Sequence, residues 1–311
     1  MSIGAVNVLI SGGFSGAYEQ LLPEFERTSG IKVTTRSGAS QGTGPQTIAA
    51  QLARGVPADV VILSREGLGE LMAANGIVAG TDVDLARVPL GVAVRAGTPK
   101  PDVSTVVAVK QLLLKAKTVA VPGSTSGIWL RTELFPRLGI AEKINAKATP
   151  RGTHATEMIA VGGADLAVMP VSEILHAAGV DFAGSLPPEI QFIQVFSAAV
   201  VAGSKELEGS KRLIEFLASA RASETIRKSG MEPIRRHGAG RCYPNLIPEL
   251  GDVLERAPQR PEAERIADNE RMNDERADER PFLRLQQHLV ELINHHPFVF
   301  RRAVLAEDNC G

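Results

Sequence analysis

Four short stretches rich in small hydroxyl residues and glycine are where this chain could most readily hold an anion. They are Ser11-Gly12-Gly13-Phe14-Ser15, Ser37-Gly38-Ala39-Ser40-Gln41-Gly42-Thr43-Gly44, Gly123-Ser124-Thr125-Ser126-Gly127 and Arg151-Gly152-Thr153-His154. Each stands before a helical pattern. A helix start leaves four backbone N–H groups without intrahelical partners, and the dipole adds roughly half a positive charge there. Small residues let those donors come close to a carboxylate, phosphate or sulfate. Ser and Thr also cap helices for structural reasons, and for any single turn that is the simpler explanation. Four turns in one alternating chain point instead to a shared anion site. Its expected lining is Ser11, Gly12, Gly13, Phe14, Ser40, Ser124, Thr125, Ser126 and Gly127.

Charged side chains near the turns would complete such a site. Arg131 lies just inside the helix that follows the third turn, and Arg36 and Arg151 flank the second and fourth. A guanidinium grips a carboxylate through two parallel N–H bonds and fixes its orientation. His154 and His176 are the only histidines before residue 235. His154, at a helix start beside the fourth turn, is the candidate for donating to an anion or moving a proton. His176 reads as a surface residue. No Gly-x-Ser-x-Gly elbow, Walker loop, His-Glu-x-x-His or complete dinucleotide fingerprint occurs. No metal or cofactor is therefore expected, and binding is favoured over chemistry. A proton transfer stays compatible with these residues.

The elements that must position these residues alternate up to about residue 230. Strands are expected near 5–11, 31–36, 59–63, 88–95, 118–121, 144–149, 165–169 and 190–202. Helices are expected near 15–28, 45–54, 66–75, 106–116, 126–138, 153–162, 171–178, 206–219 and 221–229. Runs such as Asp59-Val60-Val61-Ile62-Leu63 read as parallel strands covered on both faces. The class is α/β, with its ligand site beyond the carboxyl ends of the strands. Val88 to Val94 and Phe192 to Val201 read either as central strands of one larger sheet or, as a family resemblance implies, as crossings between two lobes. The latter divides the chain into 1–87 (lobe 1), 88–191 (lobe 2) and 192–234 (the return to lobe 1, with closing helices).

Composition narrows the partners. A net charge of -1 and 4% aromatic residues weigh against nucleic acid or a base-stacking surface. The first strand begins by about residue 5, so no secretory leader is expected ahead of it in this chain. The uncharged run Ile190 to Ser204 falls short of the ~18 apolar residues a membrane span needs. Both cysteines, Cys242 and Cys310, fall late, which leaves the body without disulfide or thiolate chemistry and suits an oxidising compartment. From residue 235 the chain changes character: 12 Arg and no Lys, against 12 Arg and 10 Lys before it. This tail, 235–311, reads as an atypical Arg- and acid-rich appendage, partly disordered, with one short amphipathic helix over Phe282 to Ile293. The spacing of His295, His296 and Cys310 fits no zinc pattern.

Several segments carry a family resemblance. They are Leu9-Ile10-Ser11-Gly12-Gly13-Phe14-Ser15, Gln51 to Leu63 with Pro57-Ala58-Asp59-Val60, and Ser126-Gly127-Ile128. Further on come Thr132 to Ile140, Ser172-Glu173-Ile174-Leu175 and Ile226 to Pro233. Together they resemble the extracellular solute-binding proteins of ABC transporters, in the molybdate-binding-like branch. The resemblance covers about residues 5–234. It implies a two-lobed type II periplasmic-binding-protein fold whose lobes are mixed sheets joined by hinge strands. It also implies a small anion caught in the cleft, an ABC permease as partner, a monomer in the periplasm (or in the cytoplasm if Met1 is the native start) and no cofactor. The first-turn serine of the molybdate binders falls on Gly13, their ligand tyrosine falls on Pro170, and the second turn is several residues longer. These departures point to a larger organic anion, a di- or tricarboxylate, with a molybdate- or tungstate-type oxyanion as the alternative. The branch that opens Ser-Gly-Gly-Phe-Ser also resembles the aconitate isomerases. That resemblance would make His154 the base, with Arg131 and the serine turns holding carboxylates. A transcription-factor effector domain is disfavoured, because the first strand begins almost at Met1 with no DNA-binding helices ahead of it.

Overall fold

The apolar run Val6–Ile10 forms β1 and passes at once into α1 (Gly12–Ser29). β2 (Val33–Ser37), α2 (Ile48–Ala53), β3 (Val60–Ser64) and α3 (Arg65–Ala73) complete a first series. The long strand β4 (Val83–Arg95) leads to α4 (Val106–Lys115), β5 (Val119–Pro122) and α5 (Thr125–Trp129). A π-helical turn (Leu130–Leu134) joins α5 to α6 (Phe135–Arg137). The second series continues with β6 (Ala146–Thr149), α7 (Gly152–Ala160), β7 (Leu166–Pro170) and α8 (Val171–Ile174). β8 (Val180–Ser185), β9 (Ile193–Val200), α9 (Leu207–Leu217), α10 (Ser223–Lys228) and β10 (Glu232–Pro233) follow. This computed structural model describes residues 5–234; the expectations placed on the tail, 235–311, lie outside them.

The strands run in the order β2-β1-β3-β9-β4-β7-β5-β6, with β8 and β10 also paired to β4. β4 changes partners half way. From Val83 to Pro89 it pairs antiparallel with β9, and from Leu90 onward with β7. Gln191 braces that point: its Oε1 accepts from the Leu90 N–H at 2.8 Å, and its Nε2 donates to the Leu90 carbonyl at 3.1 Å. Two mixed half-sheets result, and each is covered on both faces. Leu9, Val61 and Leu63 pack with Ile48 and Leu68, while Val8, Ile10 and Ile62 pack with Phe14, Leu21 and Leu213. In the other half, Val119 and Val121 pack with Leu113 and Phe135, and Ala120 and Met169 with Ala155 and Ile159. The period-two alternation of a strand supplies both cores from one run of residues. The molecule is thus a two-lobed α/β fold.

The lobes repeat one plan. Parallel trios β2-β1-β3 and β6-β5-β7 have the same order. Asp59, just before β3, accepts from the Asn7 N–H at 2.8 Å; Asp165, just before β7, accepts from the Thr118 N–H at 3.0 Å. Each aspartate therefore fixes the register of its central strand at the end away from the serine turns.

Some elements differ from expectation. β4 begins at Val83, because Asp84, Arg87 and Pro89 interrupt its apolar pattern and hid its first half. The short strands β8 and β10 were not foreseen. The helix expected over 126–138 opens into a π turn ahead of Pro136, which has no N–H to give to Thr132. The helix expected over 171–178 stops at Ile174.

Candidate functional site between the lobes

Helix capping separates the two roles open to the serine turns. Thr47, Ser64 and Thr105 cap α2, α3 and α4 by accepting from backbone N–H groups with their side chains. Ser11, Ser124 and Arg151, at the starts of α1, α5 and α7, make no such bond. These three uncapped residues line the cavity between the lobes, beside the capped start of α3. Ser11 is buried, and its Oγ has no hydrogen-bond partner.

Gly12 and Gly13 are the first residues of α1, three positions earlier than the sequence pattern indicated. A Cβ on Gly12 would stand 3.3 Å from Oε1 of Glu173, and one on Gly13 would run into the ring of Phe196. Phe196 on β9 thus fills the volume a larger residue at 13 would need. Phe14 turns away from the cleft into the core, its ring 6.3 Å from that of Phe196.

The second turn folds over the cleft and ties the lobes together. Gln51 holds its ends, donating from Nε2 to the carbonyls of Ser37 and Gln46. Ser40 Oγ accepts from the Ser64 N–H at 2.9 Å. Across the gap, Ser64 Oγ and Thr125 Oγ1 share a hydrogen bond of 2.7 Å, and the Gln41 N–H donates to Ser124 Oγ at 3.1 Å. The lobes are therefore in contact, and the hydroxyls of Ser124 and Thr125 are engaged in holding them so.

Beneath this contact lies a small cavity. Ser11, Gly12 and Ser40 line it from one lobe, and Ser126, Arg151, Gly152 and Glu173 from the other, with Gln194 and Phe196 of β9 below. The cavity has a volume of about 30 Å³, room for roughly two waters. Four polar atoms around it are buried without a hydrogen-bond partner: Ser11 Oγ, Arg151 Nε, Glu173 Oε2 and Gln194 Oε1. Native interiors satisfy nearly all such groups, and each one left alone costs about 1–3 kcal/mol. Burial pushes the Glu173 carboxyl up to about 7, against the opposing pull of the Arg151 charge. The cavity thus combines anion-holding donors with one group able to take up and release a proton near neutrality.

The other expected residues fall elsewhere. Arg131 is exposed and turned back along its own helix, donating from Nε to the Gly127 carbonyl at 3.2 Å. Gly127 is needed where α5 presses on β5, since a Cβ there would meet the Pro122 carbonyl. His154 sits on the exposed face of α7, off the cavity, because the helix turns Ala155 and Thr156 inward instead. Arg36 is exposed on the edge strand β2, and His176 is exposed, its Nε2 3.3 Å from the Lys228 carbonyl. Sequence reasoning passed over Glu173 and Gln194. Gln194 left a signal: it shares the buried face of β9 with Phe196, while Ile193 and Val195 alternate to the other side. Glu173 left almost none, being one acid in an apolar segment. Among the described residues no cluster of His, Cys, Asp and Glu suits a metal, and no helix is long and apolar enough to cross a membrane.

A two-lobed fold with orphaned polar groups facing an interlobe cavity suits a solute receptor, and the chain belongs to the bacterial extracellular solute-binding protein family, whose profile matches residues 6–232. It is 35% identical over 233 residues to the aconitate isomerase of a Pseudomonas species, spanning 75% of this chain and 89% of that protein. Among solved structures it is similar to the periplasmic molybdate-binding protein of Azotobacter vinelandii. That match has a TM-score of 0.56 and 20% identity, over 73% of this chain and 98% of that one. The sulfate-binding protein SubI of Mycobacterium tuberculosis H37Rv matches with a TM-score of 0.60 and 21% identity, over 74% and 87% of the two chains. The solved structures share the fold.

Proposed function

We propose that the protein captures a small organic anion bearing carboxylates between a lobe of residues 1–87 and 192–234 and a lobe of residues 88–191. One observation carries this reading: Ser11, Arg151 and Gln194 turn buried, unpartnered polar atoms toward the cavity where the starts of α1 and α7 meet. A guanidinium, a hydroxyl and two sets of helix-start N–H groups together suit a carboxylate. The cavity has room for one such group, so a polycarboxylate seats one end there and reaches along the lobe contact with the rest. A ligand touching both lobes favours the closed state by its difference in affinity. The closed form is then what an ABC permease would receive from a monomeric receptor in the periplasm.

A thermal-shift panel on the full chain tests this. It compares citrate, cis-aconitate, trans-aconitate and smaller dicarboxylates with molybdate, tungstate and sulfate. A ligand at 100 times its Kd adds about 2.7 kcal/mol, a shift of several degrees for a protein of this size. Stabilisation by the carboxylates alone is expected; stabilisation by molybdate or tungstate alone would overturn the reading.

A second reading, a cofactor-free isomerase of an aconitate-type tricarboxylate, is favoured by a separate observation. A charged carboxylate in its cavity would repel an anion, yet Glu173 is there, with its carboxyl raised to about 7. The 35% identity to an aconitate isomerase agrees with this reading. Its test is the interconversion of cis- and trans-aconitate, followed by NMR.

A further inference from the structure

We propose that Glu173 is the catalytic residue that carries a proton between two carbon atoms of the bound anion. The inference rests on the isomerase reading above. Within the cavity Glu173 is the one lining side chain that can accept and return a proton. The Arg151 guanidinium offers hydrogen-bond donors and no acceptor, and Ser11, Ser40, Ser126 and Gln194 are poor bases. The carboxyl is held between two helix starts, where a side chain on Gly152 would occupy the place of its Oε2 and one on Gly12 would crowd Oε1. Oε2 is shut off from solvent with no hydrogen bond, so nothing in the fold employs it. A carboxyl raised to about 7 is matched to a group that must both take and give a proton. Arg151 is the charged group acting on it from α7; His154 and Glu157 lie on the exposed side of that helix, and His176 lies beyond α8.

The step balances without a co-reactant. The Glu173 carboxylate removes a proton from the methylene carbon beside the substrate's double bond. The C–H electron pair forms a new C=C bond, and the electrons of the old double bond pass to the far carbon and its carboxylate. That carbon takes a proton back from the Glu173 carboxyl, which returns to carboxylate and can exchange its proton with solvent between turnovers. A single atom separates the two carbons, so one carboxyl can serve both. Arg151 and the helix starts stabilise the charge that develops on the substrate carboxylates in between.

The test uses the full chain and its Glu173→Gln and Glu173→Asp variants with cis- and trans-aconitate. It measures three things: isomerisation, deuterium uptake from D2O into the allylic position, and affinity by calorimetry. Glu173→Gln is expected to lower kcat by at least about 100-fold, the low end of what a general acid–base contributes, with affinity within a few-fold of wild type. Glu173→Asp is expected to recover part of the rate, and wild-type kcat/KM to rise with pH through an inflection near 7. Wild-type turnover by Glu173→Gln overturns the assignment and leaves the isomerase reading standing. Equal losses of affinity and rate make Glu173 a binding group and also overturn it. A wild type that binds aconitate without isomerising or exchanging it overturns the isomerase reading and this proposal, leaving capture intact.

Discussion

At the scale of single residues, Glu173 ties stability to pH. Its carboxyl is raised from 4.5 to about 7 in the folded chain, so between those values the native state holds a proton that the unfolded chain has released. Stability therefore falls as pH rises through that window, by about 3 kcal/mol in all if the full shift is realised. Glu173→Gln should melt several degrees above wild type near pH 8, with the two converging near pH 4; thermal melts across pH check this. Gly152→Ala should do the opposite of what alanine does in most helices. It places a methyl group on Oε2 of Glu173, and overpacking of this kind costs about 1–3 kcal/mol. Its melting point and ligand affinity should both drop. Ser11 and Gly12 were legible in the sequence because backbone geometry demands small residues at such a turn. Glu173 was not, because its meaning depends on two helix starts brought to it from distant parts of the chain. His154 and Arg131 were misplaced for the complementary reason, since only the rotation of each helix decides which side faces the cleft.

Among the elements, the contact between the start of α3 and the start of α5 should help set how long the lobes stay together. Thr125→Val would leave Ser64 Oγ without its 2.7 Å partner. Ser64 Oγ keeps the bond it accepts from the Gly67 N–H, so the loss is that of one hydrogen bond, about 0.5–1.5 kcal/mol, and it falls on the closed form. Ligand release should accelerate up to about tenfold with association little changed. Stopped-flow fluorescence can read it, because the chain's single tryptophan, Trp129, stacks on Phe192 with ring centroids 5.0 Å apart. Phe192 lies on the segment returning between the lobes, so closure should alter Trp129 emission, and Phe192→Leu should diminish that response. Most parallel strands were legible from their unbroken Val/Ile/Leu/Ala runs. β8 and β10 were not, because their pairing partner, rather than any pattern of their own, makes them strands.

For the whole molecule, the α/β class was readable from strand and helix alternation, whereas the two lobes came mostly from the family resemblance; Asp59 and Asp165 make the same strand-start bond in each half. The order in which the chain visits the lobes has a consequence for synthesis. β9 lies between β3 and β4 in the first half-sheet, yet it leaves the ribosome more than a hundred residues after β3. The second lobe, by contrast, runs without interruption from the latter part of β4 through β8. The half begun later is thus finished earlier, and the first waits with the edge of β3 unpaired. Long-range pairing of this kind is slow to form and open to misassociation. Pulse-labelled hydrogen exchange during refolding should find β5 and β7 protected before β3 and β9. A nascent chain that has emerged only through β8 should then be the form most dependent on a chaperone.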